Sequence, residues 1–192
     1  MLNCAVEWEY LDKNSISHIR PPKDNKSKPP HFYTKEELQR IYEVAQYRWQ
    51  WQFVANTGLR LSEALNLDLE TDIKDGKVFV LSTDEGRTKS GKWREIPLFN
   101  GALQAMEHLS NPILEIHPKS VSRAFKQDLK KVELHGSFHS LRHTFISHLA
   151  MSGNFSMTEI QAWAGHQSIT TTQRYQHLVP NFRKIDLSSL DL

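Results

Sequence analysis

The stretch SFHSLRHTFISHLAMSGNFSMTEIQAWAGHQSITTTQRYQHL, Ser137–Leu178, decides how the rest of the chain is read. At about 100° per residue, Leu141, Phe145 and Leu149 fall on one stripe, which predicts a helix with that stripe in the core. His139 and Arg142 lie off the stripe and are neighbours on one face. A histidine beside an arginine can donate to one anionic oxygen, although H-x-x-R by itself more often marks a solvated face with an ordinary ion pair. His139 and His143 also have the i, i+4 spacing of a zinc pair. Ser140 stands where the glutamate of H-E-x-x-H would be and no cysteine partner exists, so no metal is expected.

MTEIQAWAG and ITTTQRYQHL then read as two further helices, with Gly165-His166 between them. Ser168 and Thr170 are candidate caps, and the start of a helix there would favour an anion near His166. Taken singly, His166 reads as a surface histidine and Tyr175 as a packed aromatic. As a nucleophile Tyr175 would need a base and cationic surroundings, because a phenol with a pKa of ~10 is protonated at neutral pH.

Upstream, Thr34-Lys35-Glu36-Glu37 is a capping box followed by Leu38, Ile41, Tyr42 and Ala45 at helical spacing. A second helix is predicted through Trp51, Phe53 and Val54 with Gly58 as its left-handed cap. The segment LRLSEALNL supplies a short helix carrying Arg60 and Glu63. Two arginines, Arg60 and Arg142, could grip one phosphodiester in a way lysines cannot reproduce.

Strand signals follow: Asp75-Gly76 as a hairpin turn, Val78–Leu81 as a β run and Arg94–Leu98 as another. The polar loop between the two runs holds Lys89, a mobile donor or a plain solvated lysine. Helices are expected over GALQAMEHL, ending near Asn111-Pro112, and from near Ser120 through VSRAFKQDLKKVEL. The fold class is therefore α+β, mostly helical, with a small three-stranded antiparallel sheet. Residues 1–30, rich in proline and lysine, read as a linker or the stub of a preceding domain, and 31–192 as one domain.

With 192 residues and a net charge of +2, the chain can build a full core but cannot coat nucleic acid by charge alone. DNA contacts would have to be concentrated in the basic segments 23–28, 87–92 and 119–131. The single Cys4 excludes an internal disulfide and suits a reducing cytoplasm. No apolar run approaches the ~18 residues of a membrane span and no leader pattern precedes the domain, so neither membrane nor secretion is expected.

Together, TGLRLSE, TKSGKWREIPL, HSLRHTFISHLA and AGHQSITTTQRYQH strongly resemble the tyrosine recombinases, the family of phage integrases and Xer-type recombinases. The resemblance runs from about Thr34 to His177. It implies the tyrosine recombinase catalytic-domain fold and a cofactor-free, metal-free DNA strand transfer through a 3′-phosphotyrosyl link. It assigns Tyr175 as nucleophile, Arg60, Arg142 and His166 to the scissile phosphate, and Lys89 to the 5′ leaving oxygen. His139 becomes proton acceptor or orienter for the tyrosine, and Glu63 a support. Lys92, Arg94, Lys119, Arg123 and His143 are the expected DNA contacts. The implied partners are double-stranded recombination sites, a tetramer on DNA formed from isolated monomers, and accessory DNA-bending factors. Two departures stand out: Trp163-Ala164 precedes the G-H pair where the family favours leucine before the glycine, and of the N-terminal clamp domain usual in the family residues 1–30 are expected to hold at most the last few residues. A type IB topoisomerase-like enzyme and a non-cleaving DNA-binding regulator are the alternatives.

Overall fold

Thr34 accepts from the Glu37 amide at 3.2 Å while Glu37 accepts from the Thr34 amide at 2.8 Å, so the predicted capping box starts α1, Lys35–Val44. The computed structural model describes residues 30–82 and 92–180, with Trp8 and Tyr10 ahead of them. The expected linker over residues 1–30, Lys89, and the chain after Pro180 otherwise lie outside the described residues.

Helix α2, Arg48–Thr57, is the hub of the core, with Trp51, Phe53, Val54 and Ala55 all buried. It ends at Gly58, which adopts φ +65 as expected of the left-handed cap. The short α3, Leu61–Asn66, follows directly, with Arg60 extended at its N-cap. Next come β1, Ile73–Lys74, β2, Lys77–Ser82, and β3, Lys92–Pro97, in sheet order β1-β2-β3, all antiparallel. Asp75 and Gly76 both have positive φ, as a tight hairpin whose twist matches its strands requires. Val78 and Val80 of β2 and Ile96 of β3 point into the core. Two-residue alternation then turns Arg94 inward beside Ile96 and leaves Trp93 exposed.

Helix α4, Asn100–Met106, packs on α2, and α5, Pro118–Lys131, begins with proline at its first turn, two residues before the expected Ser120. The long α6, Phe138–Ser152, runs through the middle of the molecule and ends at Gly153, φ +66. Its buried residues include Leu141, Phe145 and Leu149 as predicted, but also Arg142, Thr144 and Ser147. The face expected to be solvated is therefore largely enclosed. Trp51, Phe125 and Phe138 meet edge to face at centroid distances of 5.4–6.2 Å, and the Trp51 indole donates to buried Asp128 at 3.0 Å.

Helix α7, Met157–Ala164, ends at Gly165, and α8, Ile169–Gln173, is short. The sequence pattern predicts one helix over 169–178. Instead the chain breaks at Tyr175, φ −99 and ψ −2, before a 3-10 turn at Gln176–Leu178. The β-branched run Ile169-Thr170-Thr171-Thr172 is a poor helix former. The break turns Tyr175 inward. Ahead of α1, Tyr33 is wholly buried and ties the entering chain to α6: its amide donates to Thr144 at 2.9 Å and its hydroxyl to the His135 carbonyl at 3.0 Å.

A Cβ at Gly58 would lie 2.4 Å from the Phe145 ring, whereas one at Gly76 would meet nothing within 4 Å, although both residues have positive φ. Gly58→Ala is expected to cost about 1–3 kcal/mol from strain and overpacking together. Gly76→Ala should cost the backbone strain alone. Urea unfolding of the two variants checks the difference.

Candidate active site

Three consecutive carbonyls close α7, and three arginines from different parts of the chain donate to them. Arg94 Nε reaches the Trp163 oxygen at 2.9 Å, Arg142 Nη2 the Ala164 oxygen, and Arg60 Nη2 the Gly165 oxygen at 2.9 Å. The C-terminal carbonyls of a helix lack partners within it and carry the negative end of its dipole, so they suit cations. Arg142 also donates through Nη1 to the Gly58 oxygen at 2.7 Å. The left-handed turn at Gly58 thus aims an acceptor at the second guanidinium.

Glu63 fixes two of the three. Its carboxylate takes both Nη atoms of Arg94 at 2.8 and 2.7 Å, Arg60 Nη1 at 2.9 Å and the Arg60 amide at 2.7 Å. Burial alone would raise its carboxyl, but the two arginines and the Arg60 amide overrule that and hold it at about 2. Arg142 has no such carboxylate beside it. It is 2% exposed, and burial together with the charges of Arg60 and Arg94 pushes its guanidinium down to about 9, against the pull of Glu63. With three guanidinium groups against one carboxylate, the cluster has a surplus of positive charge.

Three imidazoles and a phenol border it. Burial, then the neighbouring cations Arg142 and Arg60, push His166 down to about 4, and its Nδ1 pairs with the Thr172 hydroxyl at 2.8 Å. The same causes in the same order lower His139. Burial and adjacent His139 and Arg142 bring His143 to about 4. Its Nδ1 is hydrogen-bonded to the hydroxyl of Tyr175. Tyr175 is 2% exposed, and burial raises it to about 12 although Arg142 and Arg174 pull the other way. At neutral pH the site therefore holds neutral imidazoles and a protonated phenol next to fixed cations.

Of the residues expected here, Arg60, Glu63, His139, Arg142, His166 and Tyr175 come together. Lys89 and the side chain of Lys92 lie outside the described residues. Lys119 and Arg123 are exposed on α5, apart from the cluster. One expected DNA contact needs correction. Arg94 is not a surface residue: its side chain is 7% exposed, sits on the core face of the sheet and clamps Glu63. His143 is half-buried and pairs with Tyr175. Arg142, expected next to His139 off the apolar stripe, is buried and donates to the Gly58 and Ala164 carbonyls. His166 turns to Thr172, within the five-residue α8. Among the described residues no three His, Cys, Asp or Glu are grouped as a metal would need, and no helix is long and apolar enough to cross a membrane.

The comparisons with known proteins agree on one family. Residues 31–181 match the model of the phage integrase family. The chain belongs to the phage integrase family. It is 28% identical to tyrosine recombinase XerC of Serratia marcescens over 92% of this chain and 64% of that protein. Against XerC of Pseudomonas aeruginosa it is 33% identical over 64% of this chain and 44% of that protein. The chain thus spans less than two thirds of these relatives' length. Among solved structures, the catalytic domain of bacteriophage HP1 integrase is matched with a TM-score of 0.66 at 22% identity, covering 84% of this chain and 95% of that domain. A lambda integrase dimer bound to a COC′ core site gives 0.65 at 20% identity, covering 91% of this chain and 55% of that one. At those identities the likeness concerns the fold, which is that of tyrosine recombinase catalytic domains.

Because Glu63 titrates at about 2 when folded and near 4.5 ordinarily, its stabilising contribution is present above pH 4.5 and lost as pH falls towards 2. Glu63→Gln is expected to cost about 3–5 kcal/mol at pH 7 by leaving buried Arg94 without its partner. It should also flatten the stability curve between about pH 5 and 2. Denaturation at a series of pH values measures both.

Proposed function

We propose that this integrase-family chain cuts and rejoins DNA strands as the catalytic domain of a site-specific recombinase, in the cytoplasm, where DNA and reduced thiols coexist. The observation that carries the reading is the pair of guanidinium groups, Arg60 and Arg142, held on adjacent carbonyls of Ala164 and Gly165 with Tyr175 close enough to feel the charge of Arg142. A guanidinium has five N–H donors. The Gly58 and Ala164 carbonyls take two of those on Arg142. A buried cation of this kind is suited to an anion that brings its own charge, and a phosphodiester fits.

In this reading Tyr175 attacks the phosphorus, a 3′-phosphotyrosyl link forms and the 5′ oxygen leaves. A 5′-hydroxyl from a partner strand later reverses the step, so bond energy is conserved without a nucleotide cofactor. Arg60, Arg142, His139 and His166 hold the extra negative charge of the five-coordinate phosphorus. Lys89 donates the proton to the leaving oxygen. Since Tyr175 is covered in the free chain, the arriving duplex has to uncover its hydroxyl before that oxygen can reach a diester. DNA away from the phosphate lies along the exposed stripe of α5, where Lys119, Arg123, Lys126 and Lys130 follow one another at helical spacing. Proteins of this fold support the reading: XerH forms a post-cleavage complex with a palindromic difH substrate, and a lambda integrase dimer binds a COC′ core site. A tetramer on DNA, assembled from monomers with the help of DNA-bending proteins, completes the proposal.

The test uses a pool of nicked duplexes of randomised sequence, in which loss of the short strand traps any covalent intermediate on a denaturing gel. The unaltered chain should yield a protein–DNA adduct and Tyr175→Phe none. Arg142→Gln or Arg60→Gln should lower the trapping rate about 10²–10³-fold. Lys119→Ala and Arg123→Ala should instead weaken binding evenly across sequences and reduce the salt slope by about 1 for each phosphate no longer neutralised. An adduct that survives Tyr175→Phe would sink the reading.

A further inference from the structure

The hydrogen bond made by the Tyr175 hydroxyl runs to Nδ1 of His143, one turn along α6 from His139. The two rings are 6.1 Å apart between centroids and tilted by 35°, so the edge of the imidazole meets the phenolic oxygen. The ring of His139 instead stands edge-on to that of His143, 4.6 Å away at 87°. Tyr175 is also held from its backbone side, its amide donating to the Thr172 carbonyl at 3.0 Å, and Thr172 in turn anchors His166. The phenolic oxygen is therefore presented to His143 by a fixed turn rather than by a wandering side chain.

We propose that His143, not His139, is the group that receives the proton of Tyr175 as its oxygen attacks phosphorus. This rests on the reading of Tyr175 as the nucleophile. The step balances within the site. The Tyr175 O–H bond breaks, its proton goes to Nδ1 of His143, and the freed pair forms the O–P bond. The P–O5′ bond breaks and its pair leaves with the 5′ oxygen, which takes a proton from Lys89 or water. In the return step the attacking 5′-hydroxyl gives its proton to Lys89 or water, its oxygen bonds phosphorus, the O–P bond to Tyr175 breaks, and His143 hands the stored proton back to the phenolic oxygen.

In this proposal the phenol donates, so His143 carries its own proton on Nε2. The charged and titratable groups facing the ring are His139 and Arg142 from α6, Arg174 next to Tyr175, and His31 from the entering segment. Burial and these groups keep the ring neutral at physiological pH, which leaves Nδ1 able to accept. They also keep it weakly basic, so it does not strip the phenol in the free chain. A bound diester offsets the nearby positive charge and makes the imidazolium easier to form, while bonding to phosphorus makes the phenol more acidic. Both changes act at the same moment, when DNA is present. His139, closer to solvent, is left to contact the phosphate.

The probe is the nicked duplex enriched from the randomised pool. His143→Gln, which can hold a hydrogen bond but not a proton, is expected to slow trapping about 10²-fold with duplex binding unchanged. Fluorotyrosine at position 175, a more acidic phenol, should recover most of that loss in His143→Gln and change little in the unaltered chain. A duplex with sulfur at the bridging 5′ position leaves without a proton and should not recover it. Unaltered cleavage in His143→Gln, failure of fluorotyrosine to rescue, or rescue by the sulfur duplex each overturns the proposal. Nitrogen NMR of the folded chain gives a reading independent of that variant: Nδ1 of His143 should shift in Tyr175→Phe, and an unmoved signal counts against it. Absence of any adduct from the unaltered chain would instead remove the nucleophile reading itself.

Discussion

Everything at this site depends on how the C-terminal end of α7 is tied down. Its last carbonyls point at guanidinium groups delivered by α3, β3 and α6, elements that share no local sequence. Each bond joins a cation to the negative end of a helix, so the arginines orient the turn and the turn orients the arginines. Gly165 makes the approach possible: with φ +65 it ends the helix, and a Cβ there would lie 2.9 Å from the Arg94 side chain. His166 is the next residue and inherits its position from this junction.

Glu63 is the other half of that constraint. One buried carboxylate shared between Arg60 and Arg94 neutralises part of a cluster that would otherwise repel itself, and its four hydrogen bonds satisfy both oxygens. What remains unbalanced is concentrated on Arg142, which has only carbonyl acceptors. Taking an unpaired cation out of water is costly. A chain shaped by stability alone would put a leucine or methionine there. A buried arginine held by carbonyls, together with imidazoles kept neutral by the same positive surroundings, suits an anion.

Local signals are readable from the sequence because they are settled within a few residues. The Thr34–Glu37 box, the glycine caps at Gly58, Gly153 and Gly165, and the Asp75-Gly76 hairpin need only their neighbours, and the helices and the three-stranded sheet follow from them. The misreadings concern residues whose partners are distant in the chain. Helical periodicity puts Arg142 off the apolar stripe, but its acceptors lie in two other turns, one of them 84 residues away. Arg94 reads as a surface cation, though alternation with buried Ile96 already points it inward; the rule that charged residues stay outside wins over the pleat in such a reading. The pairing of His143 with Tyr175 has no local signal, because it exists only where α8 stops short and the chain turns back onto α6.

If the site acts on DNA as proposed, it is quiet until DNA arrives, and the charges give the reason. Arg142 and Arg174 favour a phenolate at Tyr175, but removing that oxygen from water opposes them more strongly, and the balance leaves the phenol at about 12. At neutral pH the ionised fraction is then on the order of 10⁻⁵, since each unit of pKa above pH is a factor of ten. In the proposed reaction the same guanidinium groups act differently on a phosphorane, whose extra charge sits on oxygens that accept from N–H donors. The cluster is thus poorly placed to create the nucleophile in advance and well placed to stabilise the charge that appears once attack begins. In the proposed reaction activation and substrate binding then become one event.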